Sequence, residues 1–559
     1  MRVTIIILFL SVCSCSLNTK NVQMQLLSVN PTLNPDSLRN GIYIANNVWD
    51  QRPWAKEYGK DIFMNYILPP QVADEPVEYY WRTDIPKWIG IEYKGEELLE
   101  FARLINSKID VDTRPEDWGN DQMGYTATMS GKFGKCDDRT ILTTMAMRSM
   151  GVPAAFGMIP MWGSGNNGHS FCNVIASNGS TYAFQNKEDD GIKTHFIHKV
   201  PKIYQLAFFS NTDAPTYKQK GSEDIPALFI DNRLDDITHH YPIGFRDVSI
   251  KSQIKTGNKL CYLAVFTPNG WFPIAHGYMN GNDMLFHNIG TGTDTNGRIS
   301  LKGENIGNGI LYLPIICDNG DTPSSYPVII SNDGIRTLQP SNKTETITLS
   351  RKYPKLERIS MFANRMVWGI IEVAEKADFS DAIQVHHIYC RPFSRMQKIH
   401  LDKEMKFRYI RFRKPTGPFS IAELRAYDKL GKVIPGTQIS CDILSGEPDV
   451  RNINDNNPLT FFDISNSLNL WVGIDLGKSV NVSSFGFCPR NDDNEISPGD
   501  IYELLYWDND WKSLGKKKAE NYQLAFENVP KNALLWLRNK TKGREERPFT
   551  YDNNTQIWW

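Results

Sequence analysis

The sequence predicts a multidomain protein in which an α+β domain is followed by about three all-β sandwich modules. The chain has 559 residues, which exceeds what one hydrophobic core normally supports. Up to about residue 235, apolar residues such as Leu98, Phe101, Leu104 and Ile105 repeat at helical spacing. From about residue 240, short apolar runs alternate with clusters of Asn, Gly and Asp. Strands at that spacing are typical of β-sandwiches.

The composition excludes several classes of function. The net charge is −1 and 41% of the residues are hydrophobic, so the chain lacks the basic surplus of a nucleic-acid-binding protein. Seven cysteines follow the N-terminal leader, scattered and without CxxC spacing, which argues against a zinc site and against a disulfide framework. Neither HExxH nor GxxxxGK[ST] occurs, which disfavours a metalloprotease or a nucleotide-binding site.

The N-terminus has the pattern of a secretory leader. Arg2 precedes the apolar run Val3–Val12, which is too short to span a membrane. The following Cys-Ser-Cys resembles a bacterial lipobox, which implies a signal peptide at residues 1–15 and lipidation of Cys15. We therefore expect a secreted outer-membrane or cell-surface lipoprotein, held to the membrane through its lipid anchor only. An ordinary cleaved signal peptide is the alternative.

Changes in the spacing of apolar and turn-forming residues set the expected domain boundaries. We place the α+β domain at residues 16–235 and a β-sandwich at 240–345. Two further β segments follow, a module at 346–435 and a sandwich at 436–559. The boundary between these two rests on the turn-forming segment Gly431–Gly436.

The stretch "GKCDDRTILTTMAMRSMGVPA" predicts a helix that begins at Cys136 and ends near Gly151 and Pro153. A cysteine in the first turn of a helix faces unpaired backbone N–H groups and the positive end of the helix dipole, and both stabilise a thiolate. From the residues alone, a reactive thiol and an inert buried cysteine both remain open.

Together with the "GHSF" that follows, this stretch resembles the core of the transglutaminase-like, papain-like Cys-His superfamily. The resemblance implies that Cys136 is the nucleophile and His169 the general base of acyl transfer at amide bonds, with no cofactor required. Phe171 stands where the family usually has tryptophan. Met161 and Trp162, in the loop before His169, are expected to line the substrate cleft; a plain connector is the alternative. We expected the later His198 to be a surface residue.

The third member of the constellation has two candidates. The family expects an acidic residue on the strand after His169, and motif spacing puts Asn186 there. A two-residue hairpin turn at Asn178-Gly179 would instead place Glu188 opposite His169. Both remain open.

The C-terminal half resembles discoidin-like (galactose-binding-like, coagulation-factor type C) sandwiches, through "DNNPLT" from Asp455 and "WVGIDLG" from Trp471. The resemblance implies recognition of glycans or membrane surfaces, and Trp507 and Trp511 are candidate stacking residues. It also implies a structural calcium beside Asp455, for which an acidic turn without a metal is the alternative.

Two functions follow as hypotheses. One is a surface lipoprotein with a Cys-His amide hydrolase or transferase domain (peptidase, deamidase, glycopeptide amidase or transglutaminase-type), targeted by glycan-binding modules. The other is a non-catalytic glycan-binding surface protein with a degenerate transglutaminase-like scaffold. The expected partners are a peptide, glycopeptide or glycan, and no nucleic acid.

Overall fold

A computed structural model describes residues 19–113, 121–191, 196–219, 224–299, 301–318, 320–465, 468–543 and 545–559. The predicted signal peptide at residues 1–15, with Cys15, lies outside these residues. The described chain is multidomain and mostly β, with several separate sheets, as the sequence predicts. Within the described residues, no helix is both long and apolar enough to cross a bilayer.

Residues 19–236 form an α+β unit. Its helices are α1 Thr19–Val29, α2 Pro35–Asp50, α3 Lys60–Tyr66, α4 Trp81–Ile89, α5 Leu98–Asn106, α6 Tyr125–Gly131, α7 Cys136–Ser149, α8 Pro215–Lys218 and α9 Ala227–Ile230. Its strands are β1 Asp112–Thr113, β2 Phe133–Gly134, β3 Ala154–Ile159, β4 His169–Ile175, β5 Thr181–Phe184, β6 Tyr204–Leu206 and β7 Leu234–Asp236. Strands β3 to β7 make one antiparallel sheet in the order β5-β4-β3-β6-β7.

Helix α7 is the central helix of this unit, and its side chains are buried nearly all round from Asp138 onward. Asp138 fixes its start, because its carboxylate accepts the backbone N–H groups of Lys135 and Met123, each at 2.8 Å. Gly151 follows its end in a left-handed conformation, with φ of +80°, which glycine adopts without steric cost. The helix thus begins and ends where the sequence predicts.

Residues 243–337 form the first β unit, an antiparallel sheet. Period-2 alternation divides its side chains, since Cys261 and Leu263 belong to one apolar cluster and Tyr262 and Ala264 to another. Its strands are β8 Ile243–Lys251, β9 Leu260–Thr267, β10 Gly270–Asn280, β11 Asp283–Asp294, β12 Ile310–Cys317, β13 Asp321–Pro323, β14 Val328–Ser331 and β15 Gly334–Thr337. They lie in the order β15-β14-β12-β9-β10-β11-β8, with β13 beside β12.

The second β unit overturns the predicted boundary at 435/436. Strand β16 Thr344–Leu349 and helix α10 Glu357–Asn364 precede it. Its strands are β17 Ile370–Ala374, β18 Ile383–His387, β19 Gln397–Thr416, β20 Phe419–Tyr427, β21 Val433–Ile434, β22 Thr437–Ser440, β23 Phe462–Ile464 and β24 Leu468–Pro489. The long strand β24 pairs with β19 and β20 from before residue 435 and with β22 from after it. The predicted boundary therefore falls inside one sheet with one core.

The third β unit closes the described chain. Its strands are β25 Ile501–Trp507, β26 Trp511–Lys518, β27 Leu524–Pro530, β28 Leu535–Asn539, β29 Pro548–Asp552 and β30 Thr555–Trp558. Five of them form a sheet in the order β26-β25-β28-β29-β30, while β27 pairs with β16. The segment 344–349, which the sequence assigned across the 345/346 boundary, thus contributes to the core of this last unit.

Candidate active site

Cys136 and His169 line the same cleft, which has a volume of about 1070 Å³. Cys136 is the first residue of α7, and His169 is the first residue of β4. The helix packs against the sheet that contains β4, and this brings two residues 33 positions apart in sequence to one surface. The described residues show no hydrogen bond between these two side chains.

The ring of His169 is held by Gln185. Its Nε2 lies 2.9 Å from the amide oxygen of Gln185, which only accepts, so Nε2–H donates and Nδ1 of the neutral ring keeps a lone pair. The backbone oxygen of Gln185 in turn accepts from Arg139 Nε at 3.2 Å, one helical turn after Cys136. Helix α7 thus carries the thiol and also anchors the residue that orients the imidazole.

Neither sequence candidate for the third member bonds to His169, and this expectation is corrected. The side-chain oxygen of Asn186 accepts the backbone N–H of Glu188 at 3.0 Å, and Glu188 is exposed. Asp189 closes the turn by accepting the N–H groups of Gln185, at 2.5 Å, and Asn186, at 3.1 Å. The chain therefore leaves the strand at residue 185, and residue 188 has no place on it.

The prediction that residue 188 faces His169 was wrong because the register of the hairpin was misjudged by one residue. The hairpin between β4 and β5 closes with a hydrogen bond from Ala176 N–H to Ser180 O, so its loop has three residues, 177–179, instead of two. Gly179 has φ of +83°, which suits the left-handed position of a three-residue hairpin loop. With Ile175 opposite Thr181, odd-numbered residues of the second strand share the face of His169. A three-residue loop read from the sequence would have placed Gln185 and Lys187, in place of Asn186 and Glu188, on the face of His169.

The thiol of Cys136 is protonated in its resting environment. Burial raises its pKa, and the Asp137 carboxylate, with Oδ1 3.7 Å from Sγ, raises it further. Hydrogen bonding from Ser170 lowers the pKa in part. Ser170 also donates its hydroxyl to Asp137 Oδ1 at 2.6 Å, which fixes that carboxylate beside the sulfur.

Burial lowers the pKa of His169, while the hydrogen bond to Gln185 and the charges of Asp137 and Asp189 raise it in part. The resting pair is therefore a neutral thiol and a neutral imidazole. Such a pair acts by general-base transfer of the thiol proton during attack on a carbonyl.

The loop before His169 supplies one wall of the cleft. Trp162 is 5% exposed and stacks on the His169 ring, with centroids 5.8 Å apart and planes at 18°. Met161 instead packs against the core of the first β unit, so its assignment to the cleft is corrected.

The position of His198 differs from the sequence prediction. His198 lines the cleft, with its ring 5.4 Å from that of Trp162, and is not the surface residue we expected. Burial, with the charges of Arg358, Arg547 and His169 acting in the same direction, lowers the pKa of His198 to about 4.

Phe171 is fully buried and packs on Phe196 and Tyr241, which accounts for an aromatic residue at that position.

The tryptophans proposed for glycan stacking lie at an interface between units. Trp507 is 3% exposed, so it offers no ring face to a ligand, and its role as a stacking residue is corrected. Trp511 is half-buried, with its ring 5.2 Å from Trp507 and 6.0 Å from Phe266 of the first β unit. These rings join the third β unit to the first.

The turn at Asp455 is held by hydrogen bonds within the chain. Its carboxylate accepts the backbone N–H of Asn457 at 2.9 Å and the hydroxyl of Thr460 at 2.7 Å. In the described part of the chain, no three His, Cys, Asp or Glu side chains group in a way that would hold a metal ion. The calcium implied beside Asp455 stays a prediction.

No family model matches the chain, and a search of curated proteins found no relative that matches it.

Proposed function

We propose that this protein is a thiol-dependent acyl-transfer enzyme of the transglutaminase-like kind, acting on amide bonds of peptides or glycopeptides. The observation that supports it most is the cleft shared by Cys136 and His169, with the His169 ring held through Nε2 by Gln185. A nucleophile, a base and a residue that orients the base form the arrangement this chemistry needs.

The residues take the following roles in this proposal. The Cys136 sulfur attacks the amide carbonyl while Nδ1 of His169 takes the thiol proton. The same proton passes to the departing nitrogen, so an amine leaves and a thioester remains on Cys136. Water or a second amine then attacks the thioester, which gives hydrolysis or cross-linking and restores the thiol. The N–H groups of the first turn of α7 have no partner within the helix and are suited to stabilise the oxyanion.

The neutral resting pair fits this sequence of steps. An enzyme with a preformed thiolate–imidazolium pair needs a thiol of low pKa, whereas burial and Asp137 raise the pKa of Cys136. Attack must therefore be coupled to proton transfer, and Cys136 and His169 must approach each other when substrate fills the cleft. Catalytic hydrogen bonds commonly tighten at that stage.

The decisive experiment compares the wild-type protein with Cys136→Ala and His169→Gln on peptide, glycopeptide and glutamine-donor probes, scoring released amine or ammonia. We expect wild type to release product and both variants to lose at least 99% of that rate. Cys390→Ala is the matched control, because Cys390 is an exposed free cysteine outside the cleft, and it should keep full activity. Release that persists in Cys136→Ala would refute the proposal.

The setting of this activity is also a proposal. The leader implies a lipid on Cys15 and a cell-surface or outer-membrane location, and the discoidin-like resemblance of the C-terminal half implies glycan binding that brings the cleft to its substrate. Metabolic labelling with a fatty acid, lost in Cys15→Ala, tests the anchor.

The second candidate is a glycan-binding surface protein whose thiol domain is only a scaffold. It is favoured by the absence, in the described residues, of a hydrogen bond between Cys136 and His169, and by the raised pKa of the thiol. A glycan array probed with the full chain tests it. Binding that is equal in wild type and Cys136→Ala, with no turnover of any probe, would favour this candidate.

A further inference from the structure

Two buried basic side chains lie where the cleft loop, residues 160–168, meets the β units. Arg547, just before β29, is 1% exposed, and Lys199, of the α+β unit, is fully buried. Among the described residues, neither forms an ion pair with a carboxylate side chain. Their charges are instead directed at backbone oxygens.

Arg547 binds the cleft loop across 384 positions of sequence. Its Nη2 donates to the Gly163 oxygen at 2.6 Å, and its Nη1 donates to the Gly165 oxygen at 3.0 Å and to the Asn166 side chain at 3.3 Å. The same Nη1 reaches the Phe266 oxygen of the first β unit at 3.0 Å. One guanidinium therefore joins the third β unit, the first β unit and the loop.

Lys199 holds the other side of the same loop. Its Nζ donates to the Gly307 and Gly309 oxygens of the first β unit, both at 2.7 Å. Its backbone oxygen accepts from Gly163 N–H at 2.9 Å, and its backbone N–H donates to the Ser164 hydroxyl at 3.0 Å. The loop is thus bonded on one side to Lys199 and on the other to Arg547.

The loop is fitted closely to this position. A Cβ on Gly163 would lie 2.7 Å from the side chain of Ile310, so only glycine allows the loop to lie against the first β unit. Trp162 N–H donates to the Asn167 oxygen at 2.9 Å, which closes the loop on itself. The indole of Trp162, next to the clamped Gly163, is the group that stacks on His169.

Arg547 Nε also donates to the main-chain oxygen of Trp559 at 3.3 Å, but among the described residues no Asp or Glu side chain pairs with the guanidinium. Burying such a charge is costly, and hydrophobic replacements of buried charges are often neutral or stabilising. Stability alone is therefore a weak reason for Arg547. A stronger reason for Arg547 is that it fixes the backbone of a loop that forms one wall of the cleft, because reacting groups must be held to within a fraction of an ångström.

We propose that Arg547 is a positioning residue, which fixes the 160–168 loop so that Trp162 holds the ring of His169, and that the third β unit is consequently part of the active-site structure. This proposal rests on the proposed function of the cleft. It also changes the expected role of the C-terminal half, which becomes a component of the thiol site in addition to any binding of glycans.

Hydrogen–deuterium exchange of residues 160–168 in the full chain tests the clamp directly. We expect exchange in Arg547→Met to be at least tenfold faster than in wild type, with Arg547→Lys in between, because an ammonium satisfies fewer of the acceptors. Arg351→Met is the matched control, since Arg351 is also a buried arginine but bonds Asp492 at 2.6 Å and Glu495 at 3.4 Å, not the loop. It should lower the melting temperature while leaving the loop exchange unchanged.

The titration of His169 gives a second measurement that needs no turnover. In protein labelled with [13Cε1]-histidine, we expect the pKa of His169 to rise towards its ordinary value in Arg547→Met, because burial under Trp162 is relieved, and to stay unchanged in Arg351→Met. His169→Gln assigns the resonance. Asp137, Asp189 and His198 face the ring, and Arg547→Lys keeps the positive charge that lowers the pKa of His198, so it separates the loss of burial from the loss of charge.

Loop exchange and His169 titration that match wild type in Arg547→Met would overturn the proposal. If that variant does not fold, Arg547→Lys decides by the same two measurements. Turnover that persists in Cys136→Ala would overturn the proposed function instead, so the two failures are distinguishable.

Discussion

The carboxylate of Asp137 is predicted to restrain the thiol of Cys136, and Asp137→Asn measures how much. Asn keeps an acceptor for the Ser170 hydroxyl, which now donates to Asp137 at 2.6 Å, but it removes the charge 3.7 Å from the sulfur. At that separation two unit charges repel by about 4 kcal/mol at an effective dielectric constant of 20, and by about 1 kcal/mol in water.

This energy converts into a rate of alkylation. Since about 1.4 kcal/mol is a factor of ten, the thiolate population at neutral pH should rise between about 5-fold and about 10³-fold. A thiolate of lower pKa is a weaker nucleophile, which cancels about half of the logarithmic gain. We therefore expect Cys136 in Asp137→Asn to react with iodoacetamide about 2 to 30 times faster than in wild type at pH 7.5.

The assay must resolve the site, because Cys390 is a second free cysteine and is exposed, whereas Cys136 is partly buried. Peptide mass spectrometry follows Cys136 and uses Cys390 as the internal reference. Glu188→Gln is the charge-matched control, since Glu188 is exposed and its side chain does not bond His169. If Asp137→Asn reacts no faster than wild type, burial alone governs the thiol and the electrostatic reasoning is wrong.

Three other predictions follow from the structure. Gln185→Ala should lower the steady-state turnover rate at least tenfold, because the hydrogen bond to His169 is lost, whereas Glu188→Ala should match wild type. If the two variants have equal turnover rates, Gln185 is not the residue that orients His169. Burial, aided by Arg547, lowers the pKa of Lys199 to about 7, while an unfolded lysine keeps its proton to about pH 10. The free energy of unfolding of wild type, relative to that of Lys199→Met, should therefore increase as pH rises from about 7 to about 10, by up to about 1.4 kcal/mol per pH unit. Urea unfolding at several pH values measures this difference, and a difference that does not change with pH would contradict the prediction. A fragment of residues 346–435 should show no cooperative melting by circular dichroism because it lacks β24, whereas residues 366–489 should melt cooperatively.

Local features of the site were predictable because local chemistry sets them. The start of α7 at Cys136 and its end before Gly151 depend on residues within a few positions, and β4 begins at His169 as the motif implies. The register of the next strand was not predictable in the same way, since one left-handed residue, Gly179, decides between a two-residue and a three-residue loop. That single step moved Glu188, chosen by its position opposite His169, off the face of His169 and put the odd-numbered Gln185 there, whereas Asn186 had been chosen by motif spacing.

Long-range features could not be predicted from the sequence, and the reason is different. The boundary near residue 435 was drawn at glycines and turns, but pairing between β19 and β24 joins segments on both sides of it. The burial of Trp507 depends on Trp271, which belongs to another unit. No periodicity within a segment reveals which distant segment covers it.

The bond between Arg547 and Gly163 also has a consequence in time. The loop emerges from the ribosome 384 residues before the guanidinium that fixes it. At about 5–20 residues per second, roughly 20 to 80 seconds separate the two events. During that interval the α+β unit can collapse, but Gly163 and Gly165 lack the donor they bond in the finished protein. The thiol cleft thus reaches its final form only after residue 547 has been synthesised, so a chain that stops before it carries the nucleophile without its fixed wall.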